Sequence, residues 1–112
     1  MEKLKNNINN LLVDCVSPDQ LENLEELQAI YDARQSFYKK AYIGSFTWSN
    51  GQKAKYLKSY NTIVACIFKN QLRIYGYFSQ TTARHIKEFA KQNGFDGEIT
   101  AKDLKNTCVF SK

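Results

Sequence analysis

The chain has 112 residues, of which 43% are hydrophobic, and a formal net charge of +5. This length fits one domain that buries roughly 65% of the surface of its unfolded chain. One proline and five glycines argue against a disordered chain. No apolar run approaches the ~20 residues of a membrane-spanning helix, and the N-terminus has no signal-peptide pattern. We therefore expect a single cytoplasmic domain that covers residues 1–112 and has no membrane contact.

The first 41 residues predict a helical hairpin. A first amphipathic helix is indicated by apolar residues at helical spacing, namely Leu4, Ile8, Leu11, Leu12 and Cys15. Ser17-Pro18-Asp19-Gln20 reads as a capping box with proline at the first helical position. We expect it to begin a second helix that continues to about residue 38 or 40. The apolar stripe of this second helix consists of Leu21, Leu24, Leu27, Ile30, Tyr31, Phe37, Tyr38 and Ala41.

From residue 42 onward the pattern changes to that of an antiparallel sheet. Alternation and turn signals predict four strands, at residues 42–48, 55–60, 62–68 and 72–78. A helix over residues 79–93 should pack on this sheet and end at Asn93-Gly94-Phe95. Residues 107–110 could add a fifth strand. The predicted fold class is α+β: an N-terminal helical hairpin (1–41), then a four- to five-stranded antiparallel sheet with one helix packed on it (42–112).

Catalytic and metal chemistry have little support in the sequence. His85 is the single histidine, and its place beside the apolar stripe of a helix is typical of a structural histidine. Cys15, Cys66, Cys108 and His85 form a Cys3His set that suits tetrahedral zinc, but their spacings are long and no Cys-x-x-Cys pair is present. We predict free thiols, no catalytic residues, no metal and no cofactor.

Positive charge and aromatic residues are concentrated in the C-terminal part. Residues 1–41 carry five Lys/Arg against seven Asp/Glu, whereas residues 42–112 carry eleven against four. Such a surface is typical of binding to an anionic partner. Cations and tyrosines of this kind can contact phosphates and bases or anchor a protein partner, and a plain solvated face is the third possibility. The predicted partner-binding residues are Lys53, Lys55, Tyr56, Lys58, Arg73, Tyr75, Tyr77, Arg84, Lys87 and Lys91.

Residues 58–95 resemble a pattern in small uncharacterised proteins of phages and mobile elements of Gram-positive bacteria. The more distinctive half is Thr-Thr-Ala-Arg-His-Ile-Lys-Glu-Phe, at residues 81–89. That source class includes anti-CRISPR proteins, which bind Cas nucleases. Many such inhibitors are acidic DNA mimics, and this basic chain departs from that pattern. The resemblance implies that the structural signature of a strand-to-helix junction consists of Tyr60, Thr81, Thr82, Arg84 and His85.

The sequence therefore predicts a small non-enzymatic binding protein, most simply an inhibitor of a host defence nuclease. Its partner would be a host protein, such as a CRISPR nuclease or that nuclease with its nucleic acid. The alternative is a nucleic-acid-binding accessory or regulatory protein that uses the basic and aromatic surface. A metal-dependent enzyme built around His85 and the cysteines is the third alternative. The oligomeric state is left open.

Overall fold

The structure, a computed structural model, describes residues 2–5, 17–28, 30, 40–49, 51–75, 80–95, 99–100 and 108–111. Within these ranges seven strands form one antiparallel sheet, in the order β1-β7-β6-β5-β4-β3-β2, and one α-helix packs on it. The elements are β1 (Glu2–Lys5), β2 (Glu22–Glu26), β3 (Ala41–Thr47), β4 (Lys53–Ser59), β5 (Thr62–Phe68), β6 (Gln71–Ile74), α1 (Gln80–Gln92) and β7 (Cys108–Ser111).

The centre of the sheet, from β3 to β6, consists of three consecutive hairpins. The turn between β3 and β4 is closed by hydrogen bonds from Trp48 N to Gln52 O (2.8 Å) and from Gly51 N to Trp48 O (2.9 Å). Gly51 has a φ of +89°, which a glycine adopts without steric cost. Lys69 and Asn70 between β5 and β6 both have positive φ, 51° and 62°, as the two central residues of a type I′ turn require.

Helix α1 covers one face of the sheet, here called the helix face. Residues alternate between the two faces along a strand, so Leu57, Ala65 and Leu72 of neighbouring strands point toward the helix. Ile86, Phe89 and Ala90 of α1 meet them in one buried cluster. The opposite face carries a second cluster, in which Tyr56 and Cys66 are buried and Phe46, Trp48, Phe68 and Tyr75 pack against them.

The predicted end of α1 is confirmed. Gly94 has a φ of +86°, its N–H donates to Lys91 O (3.2 Å), and the N–H of Phe95 donates to Ala90 O (2.9 Å). These two bonds form a Schellman motif, in which an apolar residue follows the left-handed glycine and packs back. Phe95 is fully buried in the cluster beneath the helix, so the stop also contributes to the core.

The predicted N-terminal helical hairpin is wrong in the described residues. Glu2–Lys5 is a strand that pairs with β7, and Glu22–Glu26 is a strand that pairs with β3. Ser17 N donates to Gln20 Oε1 (2.9 Å), so part of the capping box does form, but it begins a single 3-10 turn, Pro18–Gln20. Leu21 is already extended, with φ −72° and ψ 138°. The rest of the two predicted helices, residues 6–16 and 31–39, lies outside the described residues.

Pairing with β3 explains why the leucine spacing did not produce a helix. The register of β2 against β3 shifts between Glu22 and Glu25, and Asn23 there has a φ of +55°. A bulge of this kind adds a residue to one strand and changes the direction of its side chains. Leu21 and Leu27 are six residues apart and would share one face of a regular strand, but across the bulge Leu21 joins the cluster on the opposite face and Leu27 the cluster on the helix face. Tertiary contacts override local helix propensity here.

The sheet is larger than predicted, with seven strands in the described residues rather than four or five. The additional strands β1 and β2 come from the segment that was expected to be helical, and β7 lies beside both β1 and β6. Strand β5 has its predicted bounds, β6 ends at Ile74, and residues 76–79 are outside the described part. None of the helices in the described residues has the length and apolarity that crossing a membrane demands.

Candidate anion-binding site

A cavity of about 520 Å³ opens between β2, β3, β4 and the turn after β5. Of the described residues, three lysines line it, Lys53, Lys55 and Lys69, together with one carboxylate, Glu25. Asn23 and Asn70 add amide groups, while Ile43 and Ile67 provide apolar surface. A volume of this size is within the range of sites that take a ligand or a segment of a partner, which is about 300–1,000 Å³.

The length of α1 explains why this part of the sheet is open. The helix runs antiparallel to β4, because its Thr82 and His85 lie at Ser59 and its C-terminal Asn93 lies at Lys55. Thirteen residues make a helix of about 20 Å, which ends above Lys55. Among the described elements no helix covers the helix face beyond that point, toward Lys53 and the turn at Lys69, and the cavity opens there.

Alternation along β4 brings two of the lysines to the same side. Lys53 and Lys55 are two residues apart, and they share the face of Leu57 and Ser59, which both lie under the helix. Lys55 is opposite Ile67 on β5. Two residues further from this pair are Lys53 on β4 and Lys69 at the start of the turn after β5, so the register brings these two lysines near each other. Like charges placed next to one another on a sheet are destabilising, so this arrangement is unfavourable for folding alone.

The contacts of these lysine side chains leave their charge available. Lys55 Nζ donates to Asn93 Oδ1 (2.8 Å), and the amide of Asn93 donates in turn to Phe89 O (2.8 Å). Lys69 Nζ lies 5.3 Å from the ring centroid of Phe68, and Lys53 is exposed. Both partners are neutral, so they leave the positive charges uncancelled. Lys55 Nζ is held at the edge of the cavity, whereas the ring that Lys69 Nζ contacts belongs to the cluster on the opposite face. An anion in the cavity would therefore meet positive charges that these contacts do not neutralise.

The predicted partner-binding residues do not lie on one surface. Lys53 and Lys55 line the cavity on the helix face. Lys58 lies on the opposite face, with its Nζ 5.6 Å from the ring centroid of Tyr42. The other members of the set on that opposite face are Tyr56, Arg73 and Tyr75. Tyr56 is fully buried and so contacts no partner in this conformation.

Arg73 is buried as well, with only 8% of its surface exposed. Its guanidinium lies 5.2 Å from the ring centroid of Phe68, and Nη2 donates to Gln71 Oε1 (3.1 Å). Its Nε, also buried, makes no hydrogen bond to any residue that the structure describes. Arg73 is therefore a core arginine and not part of an exposed basic surface.

The remaining predicted cations belong to the helix. Lys87 and Lys91 are exposed on α1 and Arg84 is half-buried, while the buried side of α1 faces the sheet. Tyr77 lies outside the described residues. The structure thus divides the predicted set into a cavity group, an opposite-face group and a helix group.

His85 is completely buried between α1 and the sheet. Its Nδ1 lies 2.8 Å from Ser59 Oγ, which is also 3.1 Å from Thr82 Oγ1. The exposed ring of Tyr60 lies against it, with 6.1 Å between ring centroids. Glu88, one turn further along the helix, accepts a hydrogen bond from Gln92 Nε2 (2.6 Å). A serine and a histidine in contact can form a nucleophilic pair, but here both side chains are buried between the helix and the sheet.

The proposed Cys3His set is not brought together. Cys66 is a free, buried cysteine whose Sγ accepts a hydrogen bond from Tyr75 Oη (3.0 Å) on the opposite face. His85 is on the helix face, so the sheet separates these two residues. Among the described residues no group of three potential metal ligands occurs. Cys15 and the side chain of Cys108 are outside the described part of the chain.

Sequence reasoning missed several residues of the cavity. Glu25 and Asn23 fell in a predicted helix, although they lie on an edge strand. Lys69 and Asn70 lie between two of the predicted strands and are not among the predicted partner-binding residues. The sequence does contain one signal for this part of the cavity, which is the lysine in the turn after β5. Type I′ turns favour asparagine and glycine, so a lysine at this position is unusual.

One family model matches this chain, over residues 25–106, and it is described as a family of unknown function, DUF8033. The matched region includes Glu25, the lysines of the cavity and the buried His85 cluster. No curated protein and no solved structure matches the chain. Because the match covers well over half of the 112 residues, the chain belongs to the DUF8033 family of unknown function.

Proposed function

We propose that this protein is a non-enzymatic binding protein that takes an acidic segment of a partner protein into the lysine cavity. The observation that supports this most directly is the group of three lysines around one concave opening. One of them, Lys55, is oriented at the edge of the cavity by a neutral contact with Asn93. Complementary charge of this kind raises association rates and fixes the register of a complex.

A protein partner is favoured over nucleic acid by the lining of the cavity. None of the described residues that line it is aromatic, and single-stranded nucleic acid is usually bound by stacking its bases on aromatic rings. Ile43 and Ile67 instead provide apolar surface for an aliphatic side chain. Nucleic-acid binding is the alternative function, and its distinguishing property is an affinity that falls steeply with salt.

The biological setting that we propose is inhibition of a host defence nuclease, such as a CRISPR nuclease, by a protein of a phage or mobile element. This part rests on the resemblance of residues 58–95 to proteins of that source class. The inhibitor would act by contact rather than by chemistry. The deep burial of Ser59 and His85 supports the non-enzymatic part of the proposal.

The proposal can be tested with two charge-matched variants. In the cavity variant Lys53, Lys55 and Lys69 are changed to Glu. In the control variant Lys58, Lys87 and Lys91, which lie elsewhere on the surface, are changed to Glu. Both variants have the same net charge, so non-specific electrostatic effects should be equal.

The measurement is co-elution with purified CRISPR nucleases on size exclusion, together with their DNA cleavage rate. We expect the native chain and the control variant to form a stable complex with a target nuclease and to slow cleavage. The cavity variant should bind at least about tenfold more weakly, because charged groups at interfaces are worth on the order of 1.5 kcal/mol or more. Equal losses in both variants would refute the cavity as the contact site. A native chain that binds short DNA or RNA but no nuclease would favour the alternative function.

A further inference from the structure

In the lining of the cavity, as far as the structure describes it, Glu25 is a single carboxylate beside three lysines. It lies on β2, the edge strand that forms one wall, and its backbone is opposite Ile43 of β3. A site evolved for phosphate alone gains nothing from a negative charge in its wall, since that charge repels each phosphate that enters. Glu25 is exposed, so it is not required to fill the core.

The backbone of β2 determines where this wall of the cavity lies. Asn23, two residues before Glu25, has the left-handed φ of +55° at the bulge of β2, and both residues line the cavity. Bulges are found next to functional sites, where they redirect side chains. The conformation is sterically unfavourable for most residues, and asparagine is among those that tolerate it best. The bulge that carries Asn23 also accompanies the burial of Leu21 and Leu27 in the two clusters, so the packing of β2 fixes the position of the wall.

We propose that Glu25 determines the specificity of the cavity. It selects an acidic protein segment that also carries one basic side chain, and it disfavours a continuous run of phosphates. The carboxylates of the segment contact the lysines while the basic group meets Glu25. A repulsive element against the wrong partner is a common route to specificity, alongside attraction of the right one. This inference rests on the proposed function and names the chemistry of the partner.

The test uses three probes and fluorescence anisotropy. The first probe is a short peptide of aspartates with one central lysine, the second is the same peptide without the lysine, and the third is an oligothymidylate of equal charge. The variant is Glu25→Gln, which keeps the size and polarity of the side chain. The matched control is Glu22→Gln, a change of the same charge on the same strand outside the cavity lining.

We expect Glu25→Gln to weaken binding of the lysine-containing peptide by about threefold and to strengthen binding of the other two probes by a similar factor. The factor corresponds to one exposed charge pair. Glu22→Gln should leave the ratio between the probes unchanged. Urea unfolding of both variants should be near that of the native chain, because both residues are exposed.

The possible failures are distinguishable. If Glu25→Gln shifts all three affinities in the same direction, or if Glu22→Gln shifts the ratios as strongly, Glu25 does not determine specificity while the cavity remains a site. If the native chain binds none of the probes at low salt, or if the Lys53, Lys55 and Lys69 variant binds them as well as the native chain does, the proposed function fails and the inference fails with it.

Discussion

Substitution of Gly44 by alanine should destabilise the fold, although alanine is normally better than glycine in a strand. Gly44 lies on β3, where a Cβ would be 2.9 Å from Leu21 Cβ and from Leu24 Cδ2. Real Cβ atoms essentially never approach so closely, so the segment that carries both leucines must move. Overpacking of this kind costs about 1–3 kcal/mol. Removing a glycine returns about 0.5–1 kcal/mol through the unfolded chain.

The expected net result for Gly44→Ala is a loss of about 1–2 kcal/mol in the free energy of unfolding. Urea unfolding followed by circular dichroism measures it, and an unchanged slope with denaturant would confirm that the cause is a loss of stability. Leu24→Ala provides the partner for a double-mutant cycle, because Leu24 is 45% exposed and its removal opens space for the new methyl group. The double variant should be more stable than the sum of the single changes predicts, by at least about 0.5 kcal/mol.

A Gly44→Ala chain that is as stable as the native protein, or more stable, would refute this reasoning. It would mean that Leu21 and Leu24 do not hold β2 against β3 at this point. The position of Glu25 and Asn23 depends on the same contact, so the wall of the lysine cavity would then lack its structural explanation.

Two further predictions concern buried polar groups. Ser59→Ala should lower the free energy of unfolding by about 1–3 kcal/mol, because His85 Nδ1 and Thr82 Oγ1 each lose a buried hydrogen-bond partner. Thermal melting measures this loss, and an unchanged melting temperature would contradict the prediction. Arg73→Met should leave stability unchanged or raise it by up to about 2 kcal/mol, since it removes a buried cation whose Nε makes no hydrogen bond to a described residue. A loss above about 2 kcal/mol in urea unfolding would show instead that the contact with Phe68 dominates.

The central sheet and its helix could be predicted because their signals are local. Strand β5 (Thr62–Phe68) is apolar on both faces, and Asn93-Gly94-Phe95 supplies a complete helix stop; both appear in the structure as expected. The N-terminal segment could not be predicted in this way. Leu21, Leu24 and Leu27 have the spacing of a helix, and the turn at Pro18–Gln20 does begin as one. The decisive interaction is the pairing of β2 with β3, which lies about 20 residues further along the chain and leaves no local signal.

The candidate site was predictable in part. Alternation along β4 separates Lys53 and Lys55 from Lys58, so the sequence contains the information that these lysines face opposite sides. The burial of Arg73 could not be read in the same way, since it depends on the register of β6 against both of its neighbours. The contribution of Glu25 depends on a bulge, which the sequence marks only by Asn23.

The relation between α1 and β4 connects the fold to the proposed function. One end of β4 is bound under the helix through Ser59, and the other end emerges beyond it at Lys55. The same strand therefore anchors the core and carries Lys53 and Lys55, so these two ammonium groups are presented by a strand of the sheet, while Lys69 lies in the turn after β5. Preorganised groups lose less entropy when a partner binds. Asn93 joins the two roles, because it caps Phe89 O and holds Lys55 Nζ at the edge of the cavity. A partner that docks there would contact a strand whose other end is fixed in the core.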